Sequence, residues 1–497
     1  MKDEFGFHDV HASRGPASEC FVYEHGWQSW SPSGVYPATT PCSPRAQRED
    51  WRVMGYRPDR EAPREGFQAE GLLGLVGEDR TAELFFSPRP DREVASIRAR
   101  IEGERVVIAA DGAVESLSAP SLDAGLAAVG DLYAARLHAR PVKPLPAGWC
   151  SWYAYWDKVT ADDVLANLKA LDAERFNVGV VQVDDGYQAG IGDWLECRSA
   201  FGDLAAVADA IRESGRVPGL WTAPLLVGEK SQLAERHPDW QVRGAVAAES
   251  HWGQRIGVLD VTNPAVAEHL VKLFAQLRSR GFAFHKLDFL YGGALPGLRH
   301  EDVSPLTAYR RGLELIREGL GDDAVILGCG APLLPSIGLV DAMRVSPDVA
   351  PRWEPKLGDL SKPAMKSALL AGKARAWMHG RLWVNDPDCV LARADVERPE
   401  PWARYVEALG GLLVSSDPLP EARSGATGAR KAVDAPRRSN ASGLVALGRS
   451  GRRQSRSALT DGAPHFGGLR ASRTLGASQR AFAGGFRCTE RSPCCPC

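Results

Sequence analysis

The chain has 497 residues, of which 44% are hydrophobic, and a formal net charge of −2. These values are typical of a folded protein with two or three domains, and they exclude a fibrous or wholly disordered chain. No window approaches the roughly eighteen apolar residues of a membrane helix, and the N-terminus lacks the basic start and apolar run of a secretion signal. We therefore expect a cytoplasmic protein with no membrane partner.

The small net charge is the sum of two unlike regions. Residues 421–497 contain thirteen Arg, one Lys and four acidic residues, whereas the rest of the chain contains 46 basic and 58 acidic residues. The acidic body argues against nucleic acid as a partner. The cysteines outside the last ten residues are scattered and show no zinc or redox spacing, so we expect reduced thiols, no metal and no cofactor.

Residues 1–145 contain short β-prone runs separated by turn residues, among them ECFVYEH, TAELFFS and ERVVIAA. This pattern predicts an N-terminal β-sandwich domain, although its first strands are poorly marked. A proline-rich connection follows, and the pattern then changes.

Residues 146–420 alternate strand-like runs with amphipathic helical stretches, which predicts an α/β fold with a parallel sheet. The eight predicted strands are GWCSW (148–152), VGVVQVDD (178–185), VPGLWTA (217–223), FAFHKLDFL (282–290), AVILGC (324–329), AMRVS (342–346), RLWVND (381–386) and LLVSS (412–416). Eight strands with intervening helices predict a catalytic (β/α)8 TIM barrel, with the active site at the carboxyl ends of the strands. No helix is predicted after the eighth strand.

Residues 421–497 are rich in Arg, Ser, Gly and Ala and contain no Ile, Met, Trp or Tyr. A basic disordered arm for nucleic acid or a membrane surface is one interpretation. We favour another, in which this tail is a disordered or non-native product of a GC-rich gene read in a shifted frame.

Two aspartates follow strand-like runs and are candidates for paired catalytic carboxylates, which glycoside hydrolysis needs. Asp288 ends HKLD, and Lys286 lies two residues earlier on the same face of the strand, where its charge favours an ionised nucleophile. Asp348 ends RVSPD, where Pro347 forces an extended path suited to placing an acid catalyst. The alternative for Asp288 is an ion pair that caps a strand, and the alternative for Asp348 is an ordinary turn with an Asp cap.

A second acidic pair, Asp184 and Asp185 in VDDGYQ, is followed by Trp194 in IGDWL. These carboxylates suit hydrogen bonding to sugar hydroxyls, although they could also bind a divalent cation or lie in a solvated loop. Aromatic residues follow several of the same strands, and sugar faces stack on such rings. They are Trp149, Trp152, Tyr153, Trp221 and Tyr291; Trp27 and Trp30 in HGWQSW are left open between core and pocket.

In this order, GWCSWY, VDDGYQ, IGDWL, LWTAP, KLDFL, GCGAPLLP, RVSPD and WVNDPDC resemble the family 36 glycoside hydrolases, the α-galactosidases of clan D. The resemblance runs from about residue 26 to residue 420. It implies a β-sandwich, a (β/α)8 barrel and a C-terminal β domain, and in this chain the tail stands in place of the last barrel helix and that β domain.

The resemblance also implies roles for individual residues. Asp288 would be the nucleophile, and Asp348 would be the acid/base of a retaining double displacement. Residues implied in substrate binding are Asp184, Asp185, Lys286, Cys329, Arg344, Trp152, Tyr153, Trp194, Trp221 and Trp30. The expected activity is a retaining α-galactosidase that acts on small galactosides of the melibiose or raffinose type and is a possible homo-oligomer. The alternatives are a related α-glycosidase, a galactosyl transglycosylase or a non-catalytic remnant.

Overall fold

A computed structural model of the chain describes residues 6–44, 57, 59–173 and 177–420. The predicted tail, residues 421–497, lies outside the described residues. Among those that are described, no helix is long and apolar enough to cross a membrane.

The N-terminal region folds into two antiparallel sheets. Its strands are β1 (His8–Ala12), β2 (Phe21–Glu24), β3 (Gly34–Pro37), β4 (Phe67–Glu70), β5 (Leu72–Val76), β6 (Ala82–Phe86), β7 (Ser96–Glu102), β8 (Arg105–Ala110) and β9 (Glu115–Ala119). One sheet has the order β1-β8-β7-β4 and the other has the order β3-β2-β5-β6-β9. Val22, Leu73 and Phe85 of the second sheet share a buried core with Phe67 and Ile97 of the first. The two sheets therefore form the predicted sandwich.

The outer face of the second sheet is also covered. Tyr23 follows Val22 in β2 and so points to the opposite face, where it is fully buried. It lies in the same core as Val129 and Tyr133 of the first helix, residues Leu122–Arg136. The sandwich is thereby joined to the barrel through a continuous apolar core.

The remaining strands are β10 (Gly148–Cys150), β11 (Val180–Val183), β12 (Val217–Thr222), β13 (Leu226–Gly228), β14 (Ala248–His251), β15 (Gln254–Val258), β16 (Phe284–Leu287), β17 (Val325–Gly328), β18 (Ala342–Arg344), β19 (Val384–Asp386) and β20 (Val414–Ser415). Eight of them form one parallel sheet in the order β19-β18-β17-β16-β12-β11-β10-β20. The Leu412 N–H donates to the Asn385 carbonyl at 2.8 Å, and Val390 forms a parallel bridge with Ser415. These contacts join the two ends of the strand order, as a barrel requires.

The helices are α1 (Leu122–Arg136), α2 (Trp152–Tyr155), α3 (Ala161–Ala173), α4 (Leu204–Glu213), α5 (Gln232–Arg236), α6 (Pro264–Ser279), α7 (Pro305–Leu320), α8 (Met365–Ala374) and α9 (Pro399–Leu409). Helix α4 shows why these segments are helical. Its buried residues Leu204, Val207, Ala208 and Ile211 recur at helical spacing, and the Asp203 side chain caps its first turn.

The predicted fold class, an α/β barrel behind an N-terminal β-sandwich, is confirmed. All eight predicted barrel strands are present, each one to five residues shorter than predicted. The sheet β13-β15-β14 was not predicted; it is an insertion between β12 and β16. The predicted domain boundaries, 1–145 and 146–420, remain predictions.

Candidate active site

A cavity of about 310 Å³ opens at the carboxyl ends of the barrel strands. Its walls carry acidic and aromatic side chains, together with one lysine and one histidine. The lining residues are Trp30, Trp152, Asp157, Asp184, Asp185, Trp221, His251, Trp252, Lys286, Asp288, Phe289, Pro347, Asp348, Ser361 and Pro363. All four predicted catalytic and sugar-binding aspartates therefore face one cavity.

The pocket floor contains a buried cation between two carboxylates. The Lys286 ammonium lies 3.0 Å from Asp184 Oδ2 and 3.7 Å from Asp288 Oδ2. Burial disfavours the charge of Lys286, but the two carboxylates outweigh it and hold the pKa of the lysine well above its usual value. Lys286 and Asp288 reach the same floor because alternate residues of a strand point to one face.

Asp288 is held by N–H donors. Trp221 Nε1 donates to Oδ2 at 3.0 Å, and the Phe289 main-chain N–H donates to Oδ1 at 2.8 Å. Strand β16 ends at Leu287, and Phe289 has a left-handed φ of 52°. The chain therefore turns immediately after Asp288. The donors and the nearby lysine stabilise a negative charge on this carboxylate.

Asp185 is also fixed on both oxygens. Gln188 Nε2 donates to Oδ1 at 2.6 Å, and Trp252 Nε1 donates to Oδ2 at 2.8 Å. Burial raises the pKa of Asp185 to about 6, although these two hydrogen bonds act in the opposite direction. The carboxylate is thus oriented by the protein before any ligand is bound.

Asp348 has a different environment. It follows β18 by four residues, and its side chain is 36% exposed toward the cavity. Arg344 Nη1 donates to its Oδ1 at 2.9 Å. Desolvation, followed by the charge of Asp388, raises the pKa of Asp348 to about 7. Asp348 is therefore suited to hold a proton near neutral pH.

The N-terminal region contributes one wall of the cavity. Trp30 packs edge-on against Phe289, with ring centroids 5.1 Å apart, whereas Trp27 is buried outside the lining. A Cβ at Gly330 would lie 2.8 Å from the Trp30 ring, so glycine is needed for this approach. The sequence had left both tryptophans open between core and pocket. In the structure Trp30 lines the pocket, and Trp27 is part of the buried interior.

Four of the predicted substrate-binding residues lie behind the cavity wall. Tyr153 donates to Asp388 Oδ2 at 2.5 Å, and Trp194 packs edge-on against Trp221. Cys329 is fully buried at the end of β17, and Arg344 is 3% exposed. Their predicted contacts with substrate remain predictions. In the structure, the four side chains lie against residues behind the pocket surface and do not line the cavity themselves.

Sequence reasoning missed several lining residues. His251 ends β14, and Trp252 begins the turn to β15. Asp157 follows the first barrel strand, and Ser361 and Pro363 come from the segment after Asp348. Trp252 has a left-handed φ of 49°. The adjacent Gly253 was a turn signal, but no sequence pattern indicated that this turn reaches Asp185.

Residues 135–289 match the family model Melibiase. Bifunctional alpha-galactosidase/sucrose kinase AgaSK from Mediterraneibacter gnavus is 30% identical over 101 residues, which are 19% of this chain and 11% of that protein. Alpha-galactosidase AgaA from Geobacillus stearothermophilus is 27% identical over 171 residues, or 31% of this chain and 23% of that protein. The matched segments thus span less than a quarter of these relatives.

The solved structures extend the likeness over most of the chain. TtGalA, an alpha-galactosidase from Thermus thermophilus in complex with p-nitrophenyl alpha-D-galactopyranoside, is 29% identical with a TM-score of 0.70. That match covers 84% of this chain and 87% of the other. The GH36 alpha-galactosidase AgaA from Geobacillus stearothermophilus has a TM-score of 0.55 at 14% identity, covering 84% of this chain and 60% of the other, and supports the fold alone.

By fold and by family match, the chain is similar to glycoside hydrolase barrels. Within that class the similarity is to the family 36 α-galactosidases, so the resemblance predicted from its motifs is confirmed.

Proposed function

We propose that the chain is a retaining α-galactosidase that releases terminal α-linked galactose from small oligosaccharides through a covalent galactosyl-enzyme. The observation that carries the proposal is the difference between two aspartates in one cavity. Asp288 is surrounded by N–H donors and a lysine, whereas the pKa of Asp348 is raised to about 7. One ionised and one protonated carboxyl group are what a retaining glycosidase requires.

In the proposed mechanism, Asp288 attacks the anomeric carbon while Asp348 protonates the departing oxygen. The ionised Asp348 then removes a proton from water, which attacks the galactosyl-enzyme and releases galactose with retained configuration. Lys286, Asp184 and Asp185 supply fixed hydrogen-bonding groups for the sugar hydroxyls, and Trp30, Trp152 and Trp221 provide apolar walls.

TtGalA, the similar structure with the higher identity, has been solved with p-nitrophenyl alpha-D-galactopyranoside and with stachyose. These complexes support an α-galactoside as the substrate of this chain. We propose melibiose and raffinose as the natural substrate type, acted on without a metal or cofactor by a cytoplasmic enzyme.

The test compares the wild-type chain with Asp288→Gly and Asp348→Ala, using p-nitrophenyl α-galactoside and the α-glucoside. We expect hydrolysis of the galactoside alone, with α-galactose as the first product seen by NMR. Azide should restore turnover in both variants. In the Asp288 variant it replaces the missing nucleophile, and in the Asp348 variant it attacks the galactosyl-enzyme in place of water without needing a general base. The Asp288 variant should give β-galactosyl azide, and the Asp348 variant should give α-galactosyl azide.

Asp157→Gly is the matched control, because Asp157 lines the same cavity and has no role in the proposed chemistry. It should keep measurable hydrolysis without azide. An inverted first product, or azide products of the opposite configuration, would contradict the assignment of Asp288 and Asp348. A folded wild-type chain without any hydrolysis would contradict the activity itself.

A further inference from the structure

One arginine behind the pocket is shared by three carboxylates. The Arg344 guanidinium lies 2.9 Å from Asp348 Oδ1, 3.0 Å from Asp386 Oδ2 and 2.8 Å from Asp388 Oδ1. Asp386 and Asp388 have side-chain exposures of 4% and 0%, whereas Asp348 opens to the cavity. The proposed catalytic steps use only Asp348, so the two buried aspartates need another explanation.

The segment WVNDPDC builds this cluster. Strands β18 and β19 pair in parallel with Arg344 directly opposite Asp386, so their side chains meet at the same strand end. Pro387 follows, and Asp388 then adopts a left-handed φ of 85°, a strained conformation for a residue other than glycine. This turn brings Asp388 back to the guanidinium instead of extending it along the strand.

Asp388 is held firmly in this position. Its Oδ2 accepts the Tyr153 hydroxyl at 2.5 Å and the Val349 N–H at 2.8 Å, and its Oδ1 accepts the Cys389 N–H at 2.7 Å. Val349 is the residue after Asp348, so Asp388 also fixes the main chain that carries Asp348. These hydrogen bonds fix the Asp388 carboxyl group close to the pocket carboxyl group of Asp348.

The charge balance around Asp348 follows from this arrangement. The single positive charge of Arg344 faces three carboxyl groups, and two of them, Asp386 and Asp388, are buried and hydrogen-bonded. Because Arg344 is shared with these two groups, it cannot fully stabilise a negative charge on Asp348 as well. The groups that face Asp348 are Asp288, Lys286, Arg344, Asp388, Tyr153 and Cys329. Lys286 is itself paired with Asp184 and Asp288, so it adds little further compensation.

We propose that Asp386 and Asp388 are positioning residues that occupy the Arg344 guanidinium and thereby keep Asp348 protonated and aimed into the pocket. This inference rests on the proposed role of Asp348 as the proton donor. It assigns a function to the WVNDPDC segment, whose residues do not line the cavity. The upward shift in the pKa of Asp348, in which the charge of Asp388 is the second cause after desolvation, agrees with it.

The test measures the protonation of Asp348 directly. A water-soluble carbodiimide with an amine nucleophile modifies protonated carboxyl groups, and peptide mass spectrometry reads the modification of Asp348 from pH 3 to 9. Labelling of the exposed Asp123 provides the internal reference. In the wild-type chain the labelling midpoint of Asp348 should lie near pH 7, and a midpoint near pH 4 overturns the proposal.

The variants are Asp388→Asn and Asp386→Asn. Each removes one competitor for Arg344, so each should lower the midpoint by about one pH unit. Asparagine suits position 388 because it tolerates a left-handed backbone. Asp417→Asn is the matched control: Asp417 is equally buried and paired with Arg393, but it does not face Asp348. Its midpoint should match that of the wild type.

If one of the two variants does not fold, the labelling midpoint of Asp348 in the other variant tests the inference. Unchanged or raised midpoints in the folded variants, or an equal shift in the Asp417 variant, overturn the inference. The alkaline limb of kcat/KM for p-nitrophenyl α-galactoside should move with the midpoint, which a purely structural role would not produce. A chain that shows the shifts but hydrolyses no galactoside would contradict the proposed function and leave the charge-sharing role supported.

Discussion

The contact between Trp252 and Asp185 gives a sharp test of how the pocket works. The Trp252 indole N–H lies 2.8 Å from Asp185 Oδ2, and its ring packs against His251 and Phe289 at centroid distances of 4.1 Å and 4.9 Å. Trp252→Phe keeps an aromatic ring in this place but removes the N–H donor together with the second ring of the indole. Comparison with the same exchange at another tryptophan of this insertion separates the hydrogen bond from the loss of ring area.

The magnitude follows from the burial of Asp185, which is 4% exposed. A hydrogen bond to a charged group contributes about 1.5–3 kcal/mol, and little water can replace the lost donor here. Each 1.4 kcal/mol of lost stabilisation lowers a binding or rate constant about tenfold, so kcat/KM should fall roughly ten- to hundredfold. Since the Trp252 N–H favours the ionised form of Asp185, its loss should raise the pKa of Asp185 above about 6.

The assay is the pH dependence of kcat and KM for p-nitrophenyl α-galactoside. We expect a lower kcat/KM in Trp252→Phe and an acid limb displaced to higher pH, because ionised Asp185 is the form that accepts sugar hydroxyls. Trp240→Phe is the control, since Trp240 lies in the same insertion and stacks on His237. A Trp252→Phe profile within threefold of wild type at every pH would refute the reasoning.

Three further predictions concern the pocket and its support. Because the pKa of Asp348 is raised to about 7 and its acid form is needed, kcat/KM for raffinose should decline above about pH 7; a profile flat to pH 9 would contradict this. Lys286→Met leaves Asp184 and Asp288 uncompensated and should lower the free energy of unfolding by about 3–5 kcal/mol at pH 7 in urea titrations. Because the pKa of Lys286 is raised in the folded chain, its contribution to stability is fully present below about pH 10.4, the pKa of an unfolded lysine, and is lost as the pH rises through the folded pKa. A decrease in the free energy of unfolding of less than about 1 kcal/mol at pH 7 would contradict this prediction. Arg375→Met removes hydrogen bonds to four main-chain carbonyls, two of them in HGWQSW and a third at the next residue, Ser31, and should lower the melting temperature and raise KM through displacement of Trp30; an unchanged KM would contradict this link.

The barrel could be predicted from the sequence because its strands are short apolar runs between turn signals. Seven of the eight predicted strands extended beyond the observed ones at the carboxyl end, and for β16 the reason is local. FAFHKLDFL reads as one run, yet β16 ends at Leu287, because the chain turns at Phe289. The same turn places Asp288 at the cavity, so the error in the strand boundary and the position of Asp288 in the pocket have one cause.

The aromatic residues show what the sequence leaves undetermined. Trp152 and Tyr153 both follow β10, but a helix begins at Trp152, and successive helical residues point about 100° apart. Trp152 therefore lines the cavity, whereas Tyr153 turns beneath it to reach Asp388. Trp252 was missed for a related reason: its partner Asp185 is 67 residues away, and only the path of the β14–β15 turn brings the two together.

The two candidate catalytic carboxyl groups are alike in sequence, since each follows a short apolar strand. Their surroundings distinguish them. Asp288 meets N–H donors from Trp221 and Phe289, which favour its anion, whereas Asp348 shares Arg344 with two other carboxylates, which favours its acid form. Lys286, Phe289 and Arg344 belong to the motifs around the two aspartates, but Trp221 comes from β12, Asp386 from β19 and Asp388 from the turn after it. The assignment of nucleophile and acid therefore depends on contacts across the barrel as well as on the local sequence.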